Sequence, residues 1–379
     1  MHSPQAARIA VLMLFLFHGI MLGGWVTHIP LAKERLEVGP GVFGLALLSF
    51  ALGAVVSMPV TGAMINRFGS ARICAMTGVS FAAFLFAPAL APTLTTFVIG
   101  GMLLGASVGS MDVAMNAHGL AVEKALKSPV MSAFHGAFSV GAAAGTLLGA
   151  WWMGIAGPGL QLLSISILGA VGIAIAIPLL LPAAVDRGLS GSHFAMPTRA
   201  TIGLGLLCFL ALMIEGSVAD WAAIMLRERL VIDTVTAAYA FGFYQTGMAI
   251  ARFTGDALRL RFGAVRMVWA SALLTALGTA IALFVPSVGI AMGAFFVAGI
   301  GIGNVAPVLF AGGGRLEPDA PGRGIAAVTS LGYSGFLAGP PLIGIVAEFS
   351  NLQWSLGLTV IAALIIAAFA RMVQLADTY

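Results

Sequence analysis

Along the 379 residues, long apolar stretches alternate with short polar or turn-rich breaks. The apolar stretches begin near residues 8, 41, 73, 96, 130, 160, 201, 236, 267, 288, 325 and 353. From Arg72 to Asp112, from Lys127 to Asp186 and from Arg266 to Arg315 no Asp, Glu, Lys or Arg intervenes. Each interval holds two membrane crossings of about 20 residues apiece. The pattern predicts twelve transmembrane helices, an all-α polytopic membrane protein. The first run follows Arg8 and is too long for the apolar core of a signal peptide, with no small-residue cleavage pattern, so it is expected to stay as the first span.

Composition strengthens this picture. Only 8% of the residues are charged and 60% are hydrophobic, with mean hydropathy +1.05, whereas a soluble domain carries about 25% charged residues. With a cytoplasmic N-terminus, the inside breaks hold Arg8, Arg67, Arg72, Lys124, Lys127, Arg187, Arg199, Arg252, Arg259, Arg261, Arg266, Arg315, Arg323 and Arg371, and the outside only Lys33, Arg35, Arg227 and Arg229. That bias predicts both termini in the cytoplasm. The net charge of +4 is thereby accounted for without a nucleic-acid partner. Cys74 and Cys208 both fall inside spans and far apart, which supports neither a disulfide framework nor a metal site.

One offset, 194 residues, superposes Glu34-Arg35-Leu36 on Glu228-Arg229-Leu230, Arg67-Phe68-Gly69 on Arg261-Phe262-Gly263 and Arg72 on Arg266. The same offset carries Gly105 and Gly109 onto Gly299 and Gly303, and Gly141 and Gly145 onto Gly335 and Gly339. The chain therefore reads as two six-helix bundles, residues 1–182 and 201–379, joined by a cytoplasmic linker at 183–200. Repeated halves with a site between them near the midplane are the layout of alternating-access transporters.

With these features the chain resembles the major facilitator superfamily over its whole length. The loop Gly62 to Arg72, GAMINRFGSAR, is similar to that superfamily's signature G-x-x-x-D-R-x-G-x-x-R, with Asn66 where an aspartate is usual. Asp256 to Arg266, DALRLRFGAVR, is a degenerate second copy. The resemblance implies gating by Arg67, Gly69, Arg72, Arg252, Asp256, Arg261 and Arg266, while a basic anchor obeying the charge bias explains the arginines but not the recurring Arg-Phe-Gly. Within the superfamily, WVTHIPLAKERL, DVAMNAHGLAVE, FHGAFSVGAAAG and EGSVADWAAIML resemble a bacterial subfamily that includes membrane proteins associated with rhizopine, an inosamine. This implies the bacterial inner membrane. A more distant likeness is to fucose/proton symporters, whose fourth helix carries an acid followed four positions later by asparagine, as Asp112 and Asn116 do. Val26 stands where those symporters have a second aspartate, four residues before Pro30.

The repeat also separates scaffold from function, because a polar group present in only one half is not demanded by the shared fold. At offset 194, Asp112 falls on Ala306, Glu215 on Met21, His135 on Thr329 and Arg252 on Met58. Asp112 lies in an apolar span below Gly101, Gly105 and Gly109, with Asn116 one turn on. An intramembrane charge costs about 2.5 to 3.5 kcal/mol on insertion scales and normally faces a cavity or a partner. Asp112 reads either as a proton carrier beside a solute-binding Asn116, or as a member of an ion pair with Arg252 or of a gate. Glu215, in mid-span, is the second coupling candidate, against a structural hydrogen bond. Asp220 and Trp221 follow it, with Asp220 open to a capping role.

Span one places His18, Trp25 and His28 in one stripe. Trp25 and His18 are candidates to meet a sugar-like ring, Trp25 reading equally as part of an interfacial tryptophan belt, whereas His28 is expected among the lipid headgroups. His135 and Ser139 on span five and Tyr244 and Gln245 on span eight complete the candidate solute-binding set, with His135 reading equally as a satisfied histidine at a helix end. The Gly299 to Asn304 stretch, GIGIGN, follows no strand and reads as helix packing rather than a nucleotide loop. No Walker loop, zinc-protease motif or nucleophile elbow occurs. The expected function is a secondary active transporter, not an enzyme. It would be a monomer without cofactor or metal that meets membrane lipid and moves a small polar, sugar- or cyclitol-like solute with protons. Proton/drug antiport is the alternative. An intramembrane enzyme acting on lipid-linked sugars through Asp112, His118 and His135 is a minor one.

Overall fold

A computed structural model describes residues 3–128, 130–182, 196–317 and 320–377. It is helical throughout: α1 (Pro4–Val26), α2 (Ile29–Leu36), α3 (Pro40–Phe68), α4 (Ser70–Phe84), α5 (Phe86–Ala89), α6 (Leu94–Leu126), α7 (Met131–Ala156) and α8 (Pro158–Ala176), then α9 (Ile202–Leu230), α10 (Thr234–Phe262), α11 (Ala264–Phe284), α12 (Val288–Ile302), α13 (Val305–Leu316), α14 (Pro321–Phe349) and α15 (Leu352–Ala368). Taken as single runs, α1–α2, α4–α5 and α12–α13 reduce these to the twelve expected segments. Among the described residues, ten runs are long and apolar enough to cross a membrane. The other two are α15, with 17 residues, and α10, whose C-terminal half carries Arg252, Asp256, Arg259 and Arg261. Most of the linker expected at 183–200, residues 183–195, lies outside the described residues.

The chain divides into two compact units, taken over the described residues. Unit 1 comprises Met1–Val38, Ala46–Ser190 and Thr234–Gly242, and unit 2 comprises Gly39–Leu45, Gly191–Asp233 and Phe243–Tyr379. In unit 1, α1 lies along α7 and α8, and α4 along α6. In unit 2, α9 lies along α14, and α11 runs between α12 and α15. Helices in lipid gain nothing from hiding apolar area from one another, so close backbone approach at small residues holds them together.

The internal repeat recurs in these contacts. A Cβ added at Gly53 would strike the Met102 carbonyl and one at Gly105 the Phe50 carbonyl, and 194 residues on Gly247 meets the Phe296 carbonyl and Gly299 that of Tyr244. Arg35 donates to the Ala89 carbonyl at 2.5 Å, and Arg229 to the Phe284 carbonyl at 2.8 Å. Gly69 (φ 82°) and Gly263 (φ 78°) start α4 and α11 in a conformation open essentially to glycine alone. Along the first helix of each repeat, however, the register slips. Gly141 and Gly335 are 194 apart, but they meet the carbonyls of Leu16 and Phe209, which are 193 apart. The structural counterpart of Glu215 is therefore Leu22, not the Met21 expected from the sequence offset.

The slip coincides with a break that α9 lacks. Between α1 and α2 the chain turns at Thr27 and His28, where Thr27 Oγ1 donates to the Gly24 carbonyl at 2.7 Å and Pro30 opens the next helix. His28 is buried inside unit 1, with Nε2 2.6 Å from Gln161 Oε1. The expectation that it sits among headgroups is thus corrected: a buried glutamine on α8 provides the polar partner that lipid headgroups were expected to supply.

Candidate solute and coupling site

In unit 1 the site is built on α6. Helical spacing puts Asn116 one turn beyond Asp112, and its Nδ2 donates to Asp112 Oδ1 at 3.1 Å and to the Asp112 carbonyl at 2.8 Å. Both residues are half-buried. The amide thus holds the carboxylate in one orientation and keeps its own oxygen as an acceptor for something else.

His118, two residues further, belongs to the scaffold. Its Nδ1 lies 2.7 Å from Ser70 Oγ, and its Nε2 accepts the Leu181 N–H at 3.0 Å. The imidazole is buried and ties α6 to the start of α4 and the end of the short turn after α8. With both nitrogens engaged, it is not placed for acid–base work.

The other unit 1 candidates gather where α1 meets α4, α6 and α7. His18 is buried edge-on to Phe81 at 5.1 Å and beside Phe138 at 5.7 Å. Its Nδ1 has no hydrogen-bond partner among the described residues. His135 is half-buried, edge-on to Phe15 at 5.2 Å, and Ser139 is fully buried one turn along α7. Trp25 is buried with its ring 6.5 Å from that of Phe97.

In unit 2 the centre is a pair the sequence did not join. Arg252 Nη2 on α10 lies 3.8 Å from Glu215 Oε1 on α9, and the two side chains are 13% and 16% exposed. Tyr244, fully buried on α10, is within electrostatic reach of both. Arg252 thus stands with Glu215, away from the loop arginines with which the sequence grouped it. Gln245 is buried, and its Oε1 lacks a partner among the described residues. On α9, Trp221 is fully buried, edge-on to Phe43 at 5.9 Å, and the indole Nε1 and the nearby Ser217 hydroxyl lack partners among the described residues. Asp220 is half-buried.

The loop candidates form two matching sets. Arg67 lies over the Phe68 ring at 5.1 Å and Arg261 over the Phe262 ring at 5.2 Å, while Arg72, Asp256 and Arg266 are exposed. Among the described residues no group of three His, Cys, Asp or Glu could hold a metal ion. The sequence reading missed Gln161, a lone amide in an apolar run, and Glu123, whose Oε2 accepts the Val130 and Met131 N–H groups at 2.8 and 3.1 Å and so caps α7. The only sequence signal for either was its polarity.

No family model matches the chain. An MFS-type transporter of Yersinia pestis is 29% identical over 376 residues, covering 97% of this chain and 95% of that protein. Membrane protein MosC of Rhizobium meliloti is 31% identical over 373 residues, covering 96% and 89%. The chain belongs to the major facilitator superfamily. It is a multi-pass secondary transporter of that superfamily, not an enzyme. Solved transporter structures share the fold: the nucleoside transporter NupG matches with TM-score 0.76 at 14% identity over 97% of this chain and 98% of its own. A bacterial homologue of the human lysosomal transporter Spinster, in an inward-facing and occupied conformation, matches with TM-score 0.73 at 14% identity over 98% and 97%.

Proposed function

We propose that the protein moves a small polar, sugar- or cyclitol-like solute across the bacterial inner membrane by alternating access, coupled to protons through Asp112 and Glu215. In this reading the six-helix bundles are residues 1–182 and 201–379, with both termini cytoplasmic, and the protein works as a monomer. The observation that carries it is asymmetry. Where one repeat has Asp112, Glu215 and Arg252, the other has Ala306, Leu22 and Met58, although the glycine contacts around them recur. A scaffold that folds with apolar residues at these places does not require the charges, and intramembrane charges left over from folding mark ion or solute pathways.

Asn116, His18 and Trp25 in the first repeat, with Gln245 and Trp221 in the second, present hydrogen-bonding atoms beside aromatic faces, the chemistry that a hydroxylated ring needs. His135, Ser139, Tyr244 and Asp220 extend the same set, and the arginines and glycines of the two matching loops gate access to it. The likeness of four sequence segments to rhizopine-associated membrane proteins and the nucleoside named for NupG both support a sugar-like solute.

The test uses purified protein in two steps. A thermal-stability screen against sugars, inositols, amino sugars and drugs names the solute class, since a ligand that binds the folded state raises its apparent stability. Uptake of the hit into proteoliposomes is then driven by a pH gradient. Asp112→Asn is expected to abolish uphill accumulation while leaving counterflow exchange. Unchanged gradient-driven uptake in that variant would remove Asp112 from the mechanism, and hits confined to unrelated cationic drugs would favour antiport.

A further inference from the structure

The crossing of α9 with α14 in unit 2 starts like the α1–α7 crossing of unit 1 and then departs from it. Gly141 and Gly335 each leave no room for a Cβ against the facing carbonyl, that of Leu16 in one repeat and of Phe209 in the other. One turn on, a Cβ at Gly145 would still strike the Ile20 carbonyl, whereas one at Gly339 would stand 3.3 Å from that of Met213. At the next level a Cβ at Gly23 would strike the Ala142 carbonyl, but at Gly216 the nearest backbone atom is the Phe336 Cα, 3.8 Å away. The second crossing is therefore the wider one here.

The side chains explain the widening. The ring of Phe336 lies over Gly216, where the first repeat has Ala142. Pro340 stands in the place of Thr146, whose hydroxyl donates to the Ala142 carbonyl at 2.8 Å and to that of Gly23 at 3.2 Å. Pro340 and Pro341 bring no backbone N–H, so the Phe336 and Leu337 carbonyls lose their usual helical donors.

Facing this stretch are donors without a protein acceptor. Ser217, fully buried, has its Oγ where a Cβ on Gly339 would lie 3.1 Å away, so the hydroxyl is aimed at α14. Trp221 is also fully buried, one turn on along the same face of α9. Neither Ser217 Oγ nor Trp221 Nε1 has a hydrogen-bond partner among the described residues. The indole stands against Phe43 at 5.9 Å, and the neighbouring Gly44 packs on the Pro340 carbonyl, which brings the indole to the level of the proline pair. Glu215 uses a different face of α9, toward Arg252 on α10.

We propose that this crossing binds a neutral hydroxyl oxygen, which accepts the Ser217 and Trp221 hydrogens and donates to a carbonyl freed by the prolines. A carboxylate would bring a charge that neither donor neutralises, and an ammonium has no lone pair to offer them. A hydroxyl oxygen both accepts and donates, and such buried polar groups are as a rule satisfied. The oxygen belongs to an ordered water or to a hydroxyl of the solute. Only the second source rests on the proposed sugar- or cyclitol-like solute.

Magnetic resonance of the full-length protein in detergent micelles, isotope-labelled at the tryptophan indoles, tests it. The Trp221 Nε1–H signal is identified by its loss in Trp221→Phe. Without solute this proton is expected to show cross-relaxation with water, and Ser217→Leu, which fills the crossing with methyl groups, should abolish it. The probes myo-inositol and D-glucose are then added. Loss of the water signal with a displaced indole resonance would identify the solute as the source, and an unchanged water signal would identify water. If neither probe moves the indole or the melting temperature while the water signal persists, the sugar-like solute is defeated and the hydroxyl site stands. A Trp221 proton without a water signal, unmoved by either probe, would overturn the inference. The wild-type spectrum decides even if Ser217→Leu fails to fold.

Discussion

Arg252 Nη2 lies 3.8 Å from Glu215 Oε1, joining α10 to α9 by the ion pair around which the polar centre of unit 2 is built. The corresponding residues of the first repeat, Met58 and Leu22, carry no charge. The pair is therefore an addition to a framework that packs without it.

Removing one partner should cost more than removing both. Arg252→Met leaves Glu215 without its cation and is expected to lower stability by up to about 3 kcal/mol, the low end for breaking a buried pair, since these side chains keep some exposure. Arg252→Met with Glu215→Gln should recover most of the melting temperature but not gradient-driven uptake. A double variant as unstable as the single one would show that the pair is not the source of the loss.

Asn116→Ala separates solute binding from coupling. It frees the Asp112 carboxylate from its amide and deletes the acceptor offered to a solute. The expected outcome is a roughly tenfold weaker apparent affinity, about one lost hydrogen bond, in the ligand-induced melting shift. An unchanged shift would take Asn116 out of the binding set.

His118→Leu addresses the scaffold. Both imidazole nitrogens are engaged, so the substitution strands the Leu181 N–H and removes the Ser70 contact. A loss of about 1–3 kcal/mol is expected, chiefly from the unpaired N–H. The pH profile of uptake by the surviving protein should match that of the wild type. A displaced profile would return His118 to the mechanism.

The two loop glycines should respond alike. Gly69→Ala and Gly263→Ala each force a side chain into a backbone region reserved for glycine, at a cost of about 1–3 kcal/mol. Comparable drops in melting temperature are expected from both. A large drop in one and none in the other would show that the repeat is not equivalent at these turns.

How much of this was legible in the sequence depends on how local each property is. A segment crosses a membrane only if its own backbone is hydrogen-bonded and its own side chains are apolar, so the helical runs could be read one at a time. The repeat was legible for the same reason: Gly69 and Gly263 report their own backbone angles, and Arg35 and Arg229 lie at the ends of their own spans. Asp112 and Asn116 share one helix, where spacing alone makes them neighbours.

Contacts between helices were a different matter. That Arg252 meets Glu215, that His28 meets Gln161 and that Glu348 reaches Gly41 depends on how each helix is rotated and shifted against the next. The one-residue slip that makes Leu22 the counterpart of Glu215 is visible only in which carbonyl each glycine touches. In a soluble protein the apolar stripe of a helix reveals that rotation, because one face meets water. Here lipid and protein are both apolar, so the stripe is nearly erased, and only the packed structure decides which polar groups meet.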